Sequence, residues 1–422
     1  MPNLERTNSV SHYKRSTCRA CRGARLEAFL SLGQQPLANS FLSTPSEFAG
    51  EKRYPLDVYR CESCSLIQLL DVITQDELFR DYIYVTGTSE TIARHNEQYA
   101  KTVTSEMQLG QGSLVIEVAS NDGSLLQCFA KRGVKTLGIE PARNIARTAR
   151  ERGIPTVEEF FNYDLAREIR SEKGPARVVI ANNVLAHVDE PIDFLTGCAE
   201  LIEESGRVIT EVPYLGDLLD ALEYDTIYHE HLCYFSVMSL MELYERAGLM
   251  IVRIQRVPVH GGSLRILARL RTKEMSGHAP EVVELADEER RRNYDKPDPY
   301  RDFAVAVAQH REKLVALLEE LVGQGKALSG YGAPAKGNTL LNYCGIDREL
   351  LKYVVDRNPL KIGRYTPGTH VPVKPVSELE NDPPDYLLVL AWNFADEIMQ
   401  QQIEYARRGG RFIIPVPEPR VI

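Results

Sequence analysis

Residues 114–140 read LVIEVASNDGSLLQCFAKRGVKTLGIE, with a strand-like run at each end. The runs at 114–118 and 135–139 have the length and apolar character of buried parallel strands. Between them, residues 124–132 predict a helix, and Ser124 is placed to cap free amides at its start. The stretch therefore predicts a β-α-β unit whose second strand ends on Glu140.

The turn and the terminal carboxylate of this unit indicate its ligand. In nucleotide-binding units, a carboxylate at the tip of the second strand takes the hydroxyls of a ribose. The turn at 119–123 is ASNDG and not G-x-G-x-x-G, so it serves a pyrophosphate poorly. Glu117 and Asp122 suit a positively charged ligand instead. We therefore predict S-adenosylmethionine as the cofactor; a nucleotide-type unit without a cofactor is the alternative.

The residues expected to hold this cofactor follow the first, second and later strands of the sheet. Phe160 and Phe161 are candidates to flank the adenine or, as the alternative, to pack in the core, and two asparagines end the next apolar strand. The predicted set is Glu117, Ala119, Asn121, Asp122, Gly123, Glu140, Phe160, Asn182 and Asn183.

Length and composition limit the possible classes of protein. The chain has 422 residues, 43% of them hydrophobic and 26% charged, which indicates a globular protein of roughly two to three domains. Its net charge is −9, with a pI near 5.6, which argues against nucleic acid as a partner. The apolar run at 386–392 is far shorter than the ~20 residues of a membrane span. Residues 1–17 are polar, so we expect no secretory leader and a cytoplasmic location.

The cysteines fall into two kinds. Cys18 and Cys21 form one CxxC pair, and Cys61 and Cys64 form a second. Two such pairs on a chain expected in a reducing compartment predict one structural zinc ion with four thiolate ligands and no open position. Disulfides or coincidence are the alternatives. The remaining cysteines lie in apolar segments, where we expect them to be packed: Cys128, Cys198, Cys233 and Cys344.

Along the chain, strand and helix patterns alternate, which predicts an α/β fold with mostly parallel sheets. We expect a small zinc-binding domain at 1–78, a central Rossmann-like domain that binds the cofactor at 79–268, and a C-terminal Rossmann-like domain at 269–422. The charged stretch at 273–301 suggests a linker or surface excursion. The loop at 331–338 either seats a phosphate on its amides, with Lys336 as a point charge, or only makes a tight turn.

The residues most suited to acid-base chemistry lie in the central block. Tyr228, His229, Glu230 and His231 are consecutive, and His187 follows an earlier strand of the same sheet. Both segments are expected at the carboxyl ends of the strands, where ligands bind in such folds. Histidine exchanges protons near neutral pH, so the cluster predicts catalysis. Metal ligation through His229 and His231 is the competing function, but it is disfavoured because residues i and i+2 of an extended chain point to opposite sides.

Taken together, these motifs resemble the sugar C-methyltransferases, which methylate C-3 of nucleotide-linked 4-keto-6-deoxysugars in branched-chain deoxysugar biosynthesis. The resemblance covers nearly the whole chain. The motifs that carry it are the two CxxC pairs and residues 81–89 (DYxYxxGTS), 117–123 (EVASNDG), 228–236 (YHEHxxYFS), 260–265 (HGGSLR) and 330–338 (GYGAxAKGN). They are specific for the family but not for the sugar.

The resemblance implies roles for individual residues. It places Tyr82, His187, Tyr228, Glu230 and His231 in the active site, with His231 as the base. Thr86, where relatives often carry serine, and Ser89 are expected at the cofactor. The residues expected at the nucleotide-sugar substrate are Tyr228, Ser263, Arg265, Lys336 and Asn338. We expect a monomer or homodimer.

The chemistry of C-methylation agrees with these roles. Carbon becomes a nucleophile only after a proton is removed, and a keto group at C-4 acidifies the proton at C-3. The resulting enolate needs a hydrogen-bond donor, for which Tyr228 or His187 is suited. An O- or N-methyltransferase of another small metabolite would keep the cofactor fold without needing this cluster. A regulatory protein with nucleic-acid-binding or protein-binding zinc knuckles is disfavoured by the acidic net charge.

Overall fold

The structure is a computed structural model that describes residues 11–80, 90–257, 261–272 and 277–422. Three of the predicted site residues, Tyr82, Thr86 and Ser89, lie outside the described residues. Within the described ranges the chain builds a four-stranded, a seven-stranded and a six-stranded sheet, together with a two-stranded pairing near the start. Among the described helices none is long and apolar enough to cross a membrane.

The N-terminal part is mostly β structure. Its elements are β1 (His12–Lys14), β2 (Leu26–Gln35), β3 (Tyr54–Cys61), β4 (Ile67–Leu69), β5 (Asp71–Ile73) and α1 (Gln75–Phe79), with a 3₁₀ helix at Pro45–Gly50. β2 and β3 form an antiparallel hairpin, which fills much of the segment between the two CxxC pairs.

The central part is an α/β layer. Its elements are α2 (Glu90–Glu106), β6 (Leu114–Val118), α3 (Ser124–Ala130), β7 (Lys135–Ile139), α4 (Arg143–Glu151), β8 (Thr156–Val157), α5 (Tyr163–Lys173), β9 (Ala176–Asn182), α6 (Pro191–Leu201), β10 (Ile202–Pro213), α7 (Leu215–Asp220), β11 (Cys233–Tyr234), α8 (Val237–Arg246), β12 (Leu249–Val257) and β13 (Ser263–Leu270). The seven strands run in the order β12-β13-β10-β9-β6-β7-β8, and β13 is antiparallel to both of its neighbours. The chain reverses its direction of progress between β6 and β9, which is where open α/β sheets bind ligands.

The C-terminal part is a second α/β layer. Its elements are α9 (Pro280–Arg291), α10 (Asp298–Gly323), β14 (Leu328–Tyr331), α11 (Ala335–Cys344), β15 (Val354–Asp356), β16 (Val373–Pro375), α12 (Glu378–Asn381), β17 (Tyr386–Val389), α13 (Ala395–Gln401), α14 (Ile403–Arg407), β18 (Arg411–Ile414) and β19 (Arg420–Val421). The strand order is β16-β15-β14-β17-β18-β19, parallel except for β19. This is the order of a doubly wound nucleotide-binding sheet, as predicted.

The predictions for the 273–301 stretch and for the cap of α3 were wrong. The charged stretch at 273–301 is not a linker in its described part, because α9 buries Val282, Ala286 and Glu289 along one face. Ser124 is also not the cap of α3. Gly123 occupies the capping position, in a left-handed conformation, and the carboxylate of Asp122 accepts the Ser124 amide at 3.2 Å.

One strand joins the N-terminal and central parts. β11 belongs to the central part by sequence, yet it forms the edge of the four-stranded sheet, in the order β11-β4-β3-β2. It begins two residues after His231, and Cys233 pairs with Gln68. The segment that carries the predicted catalytic residues is therefore held directly by the sheet that carries the CxxC pairs.

Candidate active site and metal centre

The four predicted zinc ligands lie together. Their sulfur atoms are all within 4.8 Å of one another, and the Sγ–Sγ distances are 3.5 Å for Cys18–Cys64 and also 3.5 Å for Cys21–Cys61. A tetrahedral site with Zn–S bonds of ~2.3 Å has edges of ~3.8 Å, whereas a disulfide requires ~2.05 Å. The four thiols therefore fit one zinc ion, with no position left for a substrate.

The two halves of this centre have the same backbone geometry. The residue after each pair, Arg22 or Ser65, has a positive φ of 63° or 59°. The amide of each donates to the first cysteine carbonyl of its own pair, at 3.0 Å to Cys18 and 2.9 Å to Cys61. Each turn therefore aims both of its thiols at the same point. The four cysteines outside the centre are all buried, as expected.

The turn after β6 lies at the ligand-binding crevice of the central sheet and is strained. Ala119 and Asn121 have positive φ angles of 56° and 49°, a conformation that costs non-glycine residues roughly 1–3 kcal/mol each. The turn packs tightly on β7, because a Cβ atom added to Gly138 would stand 2.4 Å from Oγ of Ser120. Strain of this kind persists where the surrounding structure holds a site in place.

Carboxylates surround this turn. Glu140, at the tip of β7, accepts the amides of Asn121 and Ala142, each at 2.9 Å, and is only 6% exposed. Glu117 is buried in β6, and its Oε2 has no hydrogen-bond partner among the described residues. Burial, with the nearby charges of Asp122 and Glu140, raises the pKa of Glu117 well above its usual value. A bound cation would relieve this, so the crevice fits the ammonium and sulfonium charges of S-adenosylmethionine.

The other predicted cofactor residues have different surroundings. The carboxylate of Asp122 forms an ion pair with Arg152 at 2.5 Å, besides its contact with the start of α3. Asn182 ends β9, on the other side of the crevice, and its Oδ1 accepts the Tyr99 hydroxyl at 3.4 Å. Asn183 follows with a positive φ of 54°. Phe160 is half-buried and lies 4.5 Å beneath the guanidinium of Arg80.

Three predicted catalytic side chains meet. The ring centroid of His231 lies 4.1 Å from that of Tyr228 and 4.8 Å from that of His187. Nδ1 of His231 is 2.8 Å from the carbonyl oxygen of Thr226, and Nε2 is 3.0 Å from the hydroxyl of Tyr228. A carbonyl only accepts, so Nδ1 carries the proton and, in the neutral ring, Nε2 presents its lone pair to the tyrosine. Burial lowers the pKa of His187 to about 4, which keeps that ring neutral.

The remaining two residues of the cluster point elsewhere. His229 is buried, and its Nε2 donates to the carbonyl of Pro55, at 3.2 Å, in the N-terminal sheet. The segment is a turn and not an extended chain, since the His231 amide donates to the Tyr228 carbonyl at 2.8 Å, and the two histidine rings contact different groups. Glu230 accepts Nδ2 of Asn39 at 2.7 Å. It is predicted to be catalytic, but it lies where the N-terminal and central parts meet.

The predicted substrate residues are spread over two parts of the chain. Ser263 is buried at the start of β13, paired with Pro213 at the carboxyl end of β10. Arg265 donates from Nε to the buried Glu211 at 2.6 Å, and its guanidinium lies 4.2 Å over the ring of Tyr99. The guanidinium of Arg265 is therefore already paired within the central part.

Lys336 and Asn338 lie in the first turn of α11 and not in a loop as predicted. The ammonium of Lys336 is 4.0 Å from the ring centroid of Trp392, whose indole donates to the buried Asp225 at 2.6 Å. Burial lowers the pKa of Lys336, and the carboxylates of Asp225 and Glu223 oppose this effect. Asn338 is buried and donates to the carbonyl of Ala38 at 2.7 Å.

Two polar residues near Glu230, Lys361 and Asn39, were not predicted from the sequence. Lys361 donates to the carbonyl of Ala333 at 2.7 Å. Burial lowers the pKa of Lys361, and the carboxylates of Asp356 and Glu230 oppose this effect. Asn39 holds Glu230, as described above. Neither residue belongs to a periodic pattern or a spaced motif, so no local signal in the sequence marks it.

The fold and the site together define a class of protein. A nucleotide-type seven-stranded sheet with an acidic, strained first turn, joined to a four-thiol centre, is a methyltransferase that depends on S-adenosylmethionine and carries a zinc-binding N-terminal part. Comparisons with known families agree. The models described as "Putative zinc binding domain", "Methyltransferase domain" and "C-methyltransferase C-terminal domain" match residues 18–79, 92–254 and 258–417.

Individual relatives narrow the class. The chain is 37% identical over 405 residues to the C-methyltransferase NovU of Streptomyces niveus, covering 96% of both chains. It belongs to this family of C-methyltransferases. A ubiquinone biosynthesis O-methyltransferase of Aliivibrio fischeri (strain ATCC 700601 / ES114) is 25% identical over 99 residues, 23% of this chain and 42% of that one.

Solved structures resemble the chain only in part. The magnesium protoporphyrin IX methyltransferase of Synechocystis PCC 6803 with bound SAM has a TM-score of 0.33 and 17% identity, covering 45% of this chain and 88% of that one. The CcbJ methyltransferase of Streptomyces caelestis also has a TM-score of 0.33, with 16% identity, covering 42% and 90%. These likenesses are too weak to support a statement about substrate.

Proposed function

We propose that this C-methyltransferase removes the C-3 proton of a nucleotide-linked 4-keto-6-deoxysugar and methylates that carbon, in branched-chain deoxysugar biosynthesis. The observation that carries the proposal is the arrangement of His231, whose Nδ1 proton is held by Thr226 while Nε2 faces Tyr228. Methylation of carbon requires such a base, whereas methylation of an acidic hydroxyl can proceed without one.

His231 is the base in this proposal. Its bond to the Thr226 carbonyl selects the tautomer with a lone pair on Nε2 and stabilises the protonated ring after it takes the C-3 proton. His187 is less suited to this role, because a ring with a pKa of about 4 binds a proton weakly at neutral pH.

His187 and Tyr228 then face the enolate oxygen at C-4. A neutral imidazole donates a hydrogen bond without giving up its proton, and a phenol does the same. A preorganised donor at a developing oxyanion is typically worth ~3 kcal/mol of transition-state stabilisation. Tyr82 and Glu230 complete the proposed catalytic set. The side chain of Glu230 is held by a hydrogen bond from Asn39.

S-adenosylmethionine supplies an electrophilic methyl group when it is bound. We propose that Glu140 accepts the ribose hydroxyls, and that Glu117 and the turn at 119–123 line the methionine end. Asn182 and Asn183 complete this end from β9, Phe160 flanks the adenine, and Thr86 and Ser89 contribute from residues 81–89. Because one base occupies one face of C-3, we expect the methyl group on the other face, with inversion at that carbon.

The nucleotide end of the substrate is proposed to reach the C-terminal sheet. Lys336 and Asn338 lie where that sheet reverses its strand progression, and the segment from Glu223 to His231 joins them to the histidines. Ser263 and Arg265 lie on β13, opposite the carboxyl end of β10, and are proposed to contact the substrate as well. The division into domains at 78/79 and 268/269 stays a prediction. α9 and the first half of α10 follow the second boundary in sequence, yet they pack in the core of the central part.

Product analysis tests this function. The protein is incubated with labelled S-adenosylmethionine and a panel of thymidine, uridine and guanosine diphosphate 4-keto-6-deoxysugars, and the products are analysed by mass and NMR. We expect one methyl group on C-3 of at least one ketosugar. Methyl transfer only to oxygen or nitrogen, or to none of the ketosugars, would overturn the proposal.

A further inference from the structure

Arg19 lies between the two cysteines of the first CxxC pair and is fully buried, at 0% exposure. Its guanidinium is shared between two groups that lie far apart in sequence. Nε donates to Oδ1 of Asp189 at 3.1 Å, and Nη1 donates to the carbonyl of Leu69. Nη1 also lies 3.3 Å from Oε1 of Gln68. A planar, permanently charged fork is suited to bridge a carboxylate and a carbonyl in this way.

The first branch leads to His187. Asp189 follows His187 by two residues, and His187 ends the 3₁₀ turn Leu185–His187. The second carboxylate oxygen of Asp189 accepts the Tyr13 hydroxyl and forms an ion pair with Arg15 at 3.0 Å. The chain directly after His187 is therefore fixed by the N-terminal part.

The second branch leads to His231. The amide of Leu69, the residue whose carbonyl accepts from Arg19, donates to the carbonyl of Leu232 at 3.0 Å. Leu232 follows His231, and its own amide donates to the carbonyl of Ala186 at 2.7 Å. This ladder runs from Arg19 through Leu69 and Leu232 and returns to the residue before His187.

We propose that Arg19 is a positioning residue that sets the relative placement of the two candidate catalytic rings, His187 and His231, from within the first zinc knuckle. The proposal rests on the proposed function for its catalytic consequence, but the placement of the rings can be measured without any substrate. The CxxC turn, closed by Cys18 and Cys21, orients the backbone that carries Arg19. The metal centre thereby acts on the active site through this side chain.

The test compares Arg19→Lys and Asp189→Asn with Arg25→Gln. Lysine keeps the charge at position 19 but offers one compact donor group, which cannot reach both partners. Asp189→Asn is nearly isosteric at a side chain that is 17% exposed, so it decides the question if Arg19→Lys fails to fold. Arg25 is 73% exposed and pairs only with Glu62, at 3.6 Å, among the described residues, which makes it the matched control.

The readout is the ring nitrogen signals of ¹⁵N-histidine-labelled full-length protein. We expect Arg19→Lys to move the signals of both His187 and His231. We expect Asp189→Asn to move the signals of His187 more than those of His231. The signals of His310, which is held by Tyr224 and Pro415, should stay unchanged in both variants. Arg25→Gln should leave all three rings as in the wild type, and the zinc content should equal the wild-type value in every variant.

Kinetics with the ketosugar that the wild type accepts complete the test. We expect kcat to fall about 10- to 100-fold in Asp189→Asn, with little change in KM, because misplaced catalytic groups slow the reaction more than they weaken binding. Unmoved His187 and His231 signals in a folded, zinc-loaded variant would overturn the proposal whatever the substrate proves to be. Moved signals without any methyl transfer by the wild type would contradict the proposed function alone.

Discussion

The carbonyl oxygen of Thr226 accepts the Nδ1 proton of His231 over 2.8 Å. The two residues are five apart, so the bond closes a short loop around Tyr228 and turns Nε2 toward the tyrosine hydroxyl. A histidine whose tautomer is fixed in this way accepts a proton on Nε2 without a change of tautomer, once the Tyr228 hydroxyl turns its proton away from that nitrogen. This bond is the physical basis for assigning the base.

The metal centre gives the first prediction. Purified protein should contain about one zinc ion per chain. Replacing Cys18, Cys21, Cys61 or Cys64 by serine should lower the zinc content and the folded yield before it affects methyl transfer. The reason is that the sheet that carries the CxxC pairs also holds β11. Elemental analysis and thermal unfolding measure both effects. The control is Cys128→Ser, a buried cysteine outside the centre, which should keep its zinc. Active, well-folded protein without zinc would contradict this account.

The ribose contact gives the second prediction. Glu140→Ala should weaken S-adenosylmethionine binding by ~1–3 kcal/mol, because it removes charge-assisted hydrogen bonds from a buried site. Isothermal titration calorimetry measures the dissociation constant directly. Glu151→Ala, on an exposed side chain of α4, is the matched control and should bind as the wild type does. Equal affinities for the wild type and Glu140→Ala would place the cofactor elsewhere.

Acid stability gives the third prediction. Burial lowers the pKa of His229 to about 4, so between pH 6.5 and 4 the unfolded chain binds a proton that the folded chain does not. The free energy of unfolding should therefore fall as the pH drops through this window, by as much as ~3 kcal/mol from this residue alone.

Chemical denaturation of the wild type and of His229→Gln at several pH values measures this contribution. The variant should lose the contact with Pro55 and be less stable at pH 7, but its stability should decline less steeply toward pH 4. Parallel slopes for the two proteins would show that His229 does not hold a depressed pKa.

The parts of the fold that the sequence predicts well are those with local signals. The β6–turn–α3–β7 unit follows from two short apolar runs and a polar turn, and the zinc centre follows from cysteine spacing. The linker prediction failed because α9 buries few positions of a highly charged stretch, so its helical face is hidden among charged residues.

The candidate site was predictable in composition but not in arrangement. His229, Glu230 and His231 are consecutive, yet their partners are Pro55, Asn39 and Thr226. Two of these partners, Pro55 and Asn39, come from the N-terminal part, through contacts between residues far apart in sequence. Such contacts leave no periodicity, which is why Lys361 and Arg19 were also missed.

Proton exchange at the sugar carbon tests the central claim most directly. In heavy water without S-adenosylmethionine, the wild type should exchange the C-3 proton of its ketosugar for deuterium, since this exchange reports proton removal alone. His231→Asn should lower the exchange rate by about 10²- to 10⁴-fold while binding the ketosugar nearly as well. Tyr228→Phe and His187→Asn should slow exchange less, because they only stabilise the enolate. Wild-type exchange by His231→Asn, together with its loss in Tyr228→Phe or His187→Asn, would contradict the assignment of His231 as the base.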